Sequence, residues 1–177
     1  NLDQNKSHHP QITFVGRLSN TKGVHYLIDA FSIINKRIHN AKLNIIGKGH
    51  SEKIFFKQVD KYSLNNSIKF LGWANKQMID TYLKNSTVVA FPSIYPESFG
   101  IVGIEAMMRS RPVVGFDVGG VTDWLKNNTN GLLVKAKDTQ GFAGAIIKIL
   151  EDNKLGRRMG ECGREMAITR FSEENHL

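Results

Sequence analysis

At 177 residues, 41% apolar and 23% charged, the chain is long enough for one α/β domain with a buried core and hardly for two. Its formal net charge is +8 at pH 7, but the Lys and Arg residues are spread along the chain and no RNP-type, KH-type or zinc-finger pattern occurs. That excludes nucleic acid as the expected partner. No apolar run approaches the ~20 residues a membrane span requires, and the single cysteine, Cys162, permits no internal disulfide, as in a reducing cytoplasm.

Residues 1–10 are polar, carry no signal-peptide pattern and are expected to be a disordered or linker segment; residues 11–177 are expected to form the domain. Gln11–Val15 is a short β run, followed by the turn GRLSNTKG. Val24, Leu27, Ile28, Phe31, Ile34 and Ile38 recur at helical spacing, which predicts an amphipathic helix carrying His25 and His39. Lys42–Ile46 reads as a second strand ending in Gly47-Lys48-Gly49. Residues 51–64 read as a helix with Ile54, Phe55 and Val59 inward and Lys53, Lys57 and Lys61 outward. A third strand over residues 68–71 runs into Gly72-Trp73, and a helix follows across about residues 76–84.

Next comes the stretch VVAFPSIYPESFGIVGIEAMMRSRPVVGFDVGG, residues 88–120. Two β-type runs, 88–91 and 112–116, flank a segment that reads as a helix over about residues 99–110, with Ser98 as N-cap and Tyr95-Pro96 keeping the entry extended. A short helix after Gly119-Gly120, a sixth strand over 131–134, a helix marked by Phe142, Ile146, Ile149 and Leu150, and a last basic helix over 155–171 complete the pattern. Strands alternate with helices throughout, so the fold class is α/β: a Rossmann-like, doubly wound parallel sheet of six strands with helices on both faces.

The helix at 99–110 is apolar nearly all round and should be buried, yet Glu105 lies in its middle and so needs a partner, a polar cleft or a ligand. Glu97 precedes the helix, and the two carboxylates fall roughly 12 Å apart along its axis, a spacing suited to two ends of one long polar ligand. In GRLSNTKG, glycines with Arg17 and Lys22 at the end of a strand suit a phosphate or diphosphate, or equally a plain tight turn with exposed cations. The Walker A order is absent. No metal-spaced histidine pair, no Asp-x-Asp and no Gly-x-Ser-x-Gly elbow occurs. Lys154, Arg157, Arg158, Arg164 and Arg170, interleaved with Glu151, Asp152, Glu161 and Glu165, form the densest basic cluster: a solvated helix face, or a face resting on anionic lipid.

PS-x-x-PESFG-x-x-x-x-EAM, followed by RPVV and GG, resembles the signature of the family 4 retaining glycosyltransferases of the GT-B fold, and GRLSNTKG resembles that family's G-R-L-x-x-x-K-G element. The resemblance spans nearly the whole chain but matches only the C-terminal, donor-binding half of a GT-B enzyme, so the N-terminal acceptor domain is expected to be absent. It implies that Arg17, Lys22 and Gly16 hold the donor diphosphate and that Glu105 accepts from the donor ribose hydroxyls. Glu97 is implied as the catalytic carboxylate beside the transferred sugar. Ser98, Phe99, Gly100 and Ile101 would contact the sugar and phosphates through backbone N–H groups, with Gly47, Leu71, Gly72 and Trp73 around the nucleobase.

The resemblance implies no metal and no cofactor. The implied substrates are a nucleotide-diphosphate sugar, UDP-hexose or UDP-N-acetylhexosamine, and a polyprenyl-diphosphate-linked glycan. Asn-, Lys- and Ile-rich usage suggests a bacterial surface polysaccharide of O-antigen or capsule type, made in the cytoplasm or at the cytoplasmic face of the inner membrane, where the chain would touch anionic lipid. Two other readings remain: another GT-B enzyme (a nucleotide-sugar epimerase or sugar phosphorylase), and a non-catalytic nucleotide-binding partner subunit. Ser110 departs from the family's usual glycine, and Thr122-Asp123 from its usual Pro-Glu.

Overall fold

The computed structural model describes residues 9–97 and 100–171. Six strands form one parallel sheet: β1 (Gln11–Val15), β2 (Lys42–Ile46), β3 (Ile68–Gly72), β4 (Val88–Phe91), β5 (Val113–Asp117) and β6 (Gly131–Lys135). Their spatial order is β3-β2-β1-β4-β5-β6, so the chain winds outward from β1 in one direction and then restarts beside it in the other. Every strand is followed by helix: α1 (Val24–Arg37), α2 (Glu52–Lys61), α3 (Lys76–Asn85), α4 (Ile101–Met108), α5 (Val121–Trp124), α6 (Thr139–Glu151) and α7 (Asn153–Phe171). The sheet therefore has a buried layer on each face. Ile12, Phe14, Leu43 and Ile45 pack with α1 and α6 residues in one cluster, and Val89, Phe91, Val113, Ala106 and Met107 belong to the other.

The central strands read as continuous apolar runs because both faces are covered: Val88, Val89, Ala90 and Phe91 are all buried. Helix α1 buries Val24, Leu27, Ile28, Phe31 and Ile34 as expected and ends at Arg37, so His25 is helical and His39 lies beyond the C-cap at Ile38. Each such aliphatic or aromatic side chain contributes about 1.5–3 kcal/mol of burial.

Three local readings are corrected. Ile54 is 59% exposed, because α2 turns only Phe55 and Val59 to the sheet. Helix α4 is not buried all round: Gly103, Ala106 and Met107 face the core, while Ile101 and Met108 are 66% and 38% exposed. Its N-cap is Gly100, in the left-handed region at φ 46°, rather than Ser98, which with Phe99 lies outside the described residues.

Ser110 ends the α4 turn at φ 55°, where a Cβ is strained and glycine is not. Ser110→Gly is expected to raise stability by roughly 0.5–1 kcal/mol, the strain relieved outweighing the extra unfolded-state entropy. A lowered denaturation midpoint would contradict this.

His25 Nδ1 is buried without a hydrogen-bond partner among the described residues. Burial and then Lys137 hold the imidazole below its ordinary pKa, against the opposing pull of Asp29. A depressed histidine contributes stability above its unfolded pKa, and that contribution is lost as pH falls through the folded value. Stability should therefore decline below about pH 6.5, less steeply in His25→Gln, as read by denaturation midpoints between pH 5 and 8.

Candidate active site

The reversal of strand order falls between β1 and β4, and there the two strands pair only at Ile12–Val88 and Thr13–Val89. β1 pairs with β2 over all five of its residues. The C-terminal ends of β1 and β4 therefore diverge, and the chains leaving them flank a crevice, the usual ligand site of an open α/β sheet.

A cleft of about 520 Å³ occupies that crevice. Gly16, Arg17, Ser19, Thr21 and Lys22 line it from the β1 side, Phe91, Pro92, Ser93 and Glu97 from the β4 side, and Ile101 and Val102 from the start of α4. Three contacts tie the walls together. The Ile94 amide and the Ser93 hydroxyl donate to the Thr21 carbonyl at 3.0 and 3.3 Å, and Lys22 Nζ donates to Glu97 Oε1 at 2.6 Å. Lys22 ends a 3-10 turn over Asn20–Lys22 closed by Gly23 in the left-handed region (φ 68°). A Cβ on Gly23 would sit 1.8 Å from the Pro92 carbonyl oxygen, so only glycine lets the two walls meet.

Gly47 does the same for the floor. Its φ is 140°, a Cβ there would fall 1.8 Å from the Gly16 carbonyl oxygen, and its amide donates to the Gly72 carbonyl at 2.8 Å. The ends of β1, β2 and β3 are thereby stitched side by side.

The expected diphosphate residues Gly16, Arg17 and Lys22 thus come together with Glu97 and Ile101 in one cleft. Gly100 caps α4 beside them. Gly47 follows β2, Leu71 and Gly72 end β3 and Trp73 follows it, at the same end of the sheet; Trp73 is 73% exposed, and none of the four lines the cleft. Glu105 is half-buried on α4, one turn past the lining residues Ile101 and Val102, and its main-chain carbonyl accepts from Arg109 Nη1 at 2.6 Å. Ser98 and Phe99 are outside the described residues.

Sequence reading had not singled out Thr21, Ser93 or Val102. The first two lie just past the ends of β1 and β4, where the topology alone would have placed a site. Arg109, just past α4, pairs with Asp80 at 2.7 Å, and Arg164 of α7 donates to the Met108 carbonyl, so both cations have structural partners. Lys154, Arg157, Arg158, Arg164 and Arg170 are all exposed along α7.

Cations from one wall, a carboxylate from the other and a helix N-terminus between them suit a phosphorylated, hydroxyl-bearing ligand. Residues 3–166 match the family model of the glycosyl transferases group 1. The chain belongs to the group 1 glycosyl transferases.

An uncharacterized glycosyltransferase of Methanocaldococcus jannaschii, MJ1607, is 38% identical over 141 residues, 80% of this chain and 36% of that one. The capsular polysaccharide biosynthesis glycosyltransferase CapM of Staphylococcus aureus is 32% identical over 163 residues, covering 92% and 42%. The crystal structure of Anabaena HepE in complex with UDP-glucose superposes with a TM-score of 0.86 at 28% identity, over 93% of this chain and 45% of that one. This glycosyl transferase chain spans less than half the length of the curated relatives it matches, and its neighbours confirm the Rossmann-like sheet as part of a GT-B architecture.

Because Gly47 holds β2 against the Gly16 turn of this glycosyl transferase, Gly47→Ala is expected to cost about 1–3 kcal/mol. Chemical denaturation measures this, and an unchanged midpoint would show that the close approach carries no weight.

Proposed function

We propose that this chain is the donor-binding domain of a retaining, metal-independent glycosyltransferase. The observation that carries the reading is the cleft at the strand-order reversal, where Arg17 and Lys22 face Glu97 beneath the N-terminus of α4. In this reading the donor is a UDP-hexose or UDP-N-acetylhexosamine, in keeping with the UDP-glucose bound by HepE. The acceptor is a growing bacterial surface glycan on a polyprenyl-diphosphate carrier, in keeping with CapM's role in capsule biosynthesis. The chain then works in the cytoplasm or on the cytoplasmic face of the inner membrane, with its basic α7 towards anionic lipid. The acceptor site lies on polypeptide outside this chain.

The chemistry follows from charge. Breaking the bond between the sugar and the diphosphate moves negative charge onto the leaving phosphate. Arg17, Lys22 and the first-turn amides of α4 meet that charge as it develops, which favours the transition state over the bound substrate. The amides of Gly103 and Ile104 bond the Gly100 carbonyl. Those of Ile101 and Val102, whose residues line the cleft, have no intrahelical acceptor and no acceptor among the described residues, with about half a positive charge behind them. Glu97 neutralises Lys22; a bound diphosphate takes Lys22 over and frees Glu97 for a sugar hydroxyl. The Gly47, Gly72 and Trp73 edge receives the nucleobase, and Glu105 the ribose.

Calorimetric titration of the chain with UDP, GDP and ADP tests this. UDP should bind, and Arg17→Ala and Lys22→Ala should each weaken it by about 1.5–3 kcal/mol, the contribution of a charge-assisted hydrogen bond. Glu105→Ala should weaken UDP by about 1–3 kcal/mol while leaving inorganic diphosphate unaffected. Absence of binding by any nucleotide at millimolar concentration would refute the reading.

A further inference from the structure

Trp124 is 2% exposed, sits in the four-residue helix α5 and is not among the residues that line the cleft, yet its ring lies directly under the first turn of α4. A Cβ built on Gly100 would fall 2.6 Å from Trp124 Nε1, and one on Gly103 would fall 2.1 Å from Cη2. The indole therefore occupies the space that side chains at 100 and 103 would take, flush against helix backbone. Its far side meets Phe91 edge-on, with ring centroids 5.2 Å apart and an interplanar angle of 83°. Phe91 itself lines the cleft. The first turn of α4, which carries the Ile101 and Val102 amides, therefore rests on this ring.

The same segment supports the other end of the loop. A Cβ on Gly119 would lie 2.8 Å from Pro96 Cα and 3.4 Å from the Glu97 amide nitrogen. Residues 119 and 124 thus brace Pro96–Glu97 on one side and Gly100–Gly103 on the other. Asn130, itself fully buried, anchors the brace by donating from Nδ2 to the Trp124 carbonyl at 2.7 Å. A second feature singles out this indole: Nε1 is buried with no hydrogen-bond partner among the described residues. An unpaired buried donor is costly, so a plain core position would favour phenylalanine or leucine.

We infer that Trp124 is a positioning residue for the donor site: it sets Glu97 and the α4 N-terminus at the height from which they meet the diphosphate held by Arg17 and Lys22. The inference rests on the donor-site reading above for the identity of the ligand, and on packing geometry alone for the positioning. It assigns to a side chain outside the cleft a role in donor affinity.

Two measurements decide it, and the first needs no ligand. Amide hydrogen exchange of the ligand-free chain should show α4 exchanging at least tenfold faster in Trp124→Ala, with β1 and β2 unchanged and Trp124→Phe in between. Uniform acceleration along the chain, or none in α4, would overturn the inference by making Trp124 an ordinary core residue. In the second, UDP is titrated into each variant under conditions where all are folded. Trp124→Ala should raise Kd at least tenfold and Trp124→Phe less. With only two tryptophans in the chain, the indole N–H resonance missing from Trp124→Phe identifies that of Trp124, which should shift as UDP saturates the wild type. Equal Kd values in wild type and Trp124→Ala would overturn the inference. If UDP fails to bind the wild type, the donor reading falls, and the exchange data still decide whether Trp124 positions α4.

Discussion

The divergence of β1 from β4 is the constraint on which the rest depends. Two residue pairs hold those strands together, and past Val89 they separate. A parallel sheet wound outward from its middle in both directions has to open there, because the connections leaving β1 and β4 cross to opposite sides. Apolar side chains such as Phe91 and Ile101 line part of this gap, but Arg17, Lys22, Ser93 and Glu97 line the rest, and the chain accepts the cost of an interior edge that is partly polar. The Lys22–Glu97 pair limits that cost, and it also joins the two walls.

Glycine is what allows the walls to come so close. Gly23 abuts Pro92 and Gly47 abuts Gly16, so the turns after β1, β2 and β4 are in backbone contact. Main chain packed on main chain does not bend as side chains do, which places the charged groups with little freedom to relax. Preorganised donors of this kind stabilise developing charge without reorganising when the bond breaks. Rigidity of the cleft walls is thus a consequence of glycine placement rather than of the charged residues themselves.

The strands and most helices could be read from the sequence because their signal is local: continuous apolar runs for two-sided burial, and 3.6-residue spacing in α1 and α6. The cleft was legible in part, since Gly16, Arg17, Lys22 and Glu97 stand beside strand ends in a recognisable pattern. What was not legible depends on tertiary contact. Ile54 falls on the edge of the α2 stripe, and nothing local says that α2 turns only Phe55 and Val59 to the sheet. Ile101 looks like core by composition but faces the cleft, because Gly103 and not Ile101 is the residue that α4 turns inward. Trp124 gives no signal at all, as its role exists only once Gly100 and Gly103 are laid on it.

Helix α4 shows why these features belong together. Its eight residues have little stability of their own, and its inner face carries Gly103 and Ala106 where longer side chains would give more burial. The small residues bring the helix axis close to α5 and the sheet, and the indole of Trp124 fills the space that remains. Close packing there points the helix N-terminus into the crevice, with Ile101 left exposed at its rim. An apolar residue kept in solvent beside a charged cleft is poor for stability taken alone. It is the expected cost of holding two backbone amides where a phosphate would lie, and the chain bears that cost at the end of α4 that faces Arg17 and Lys22.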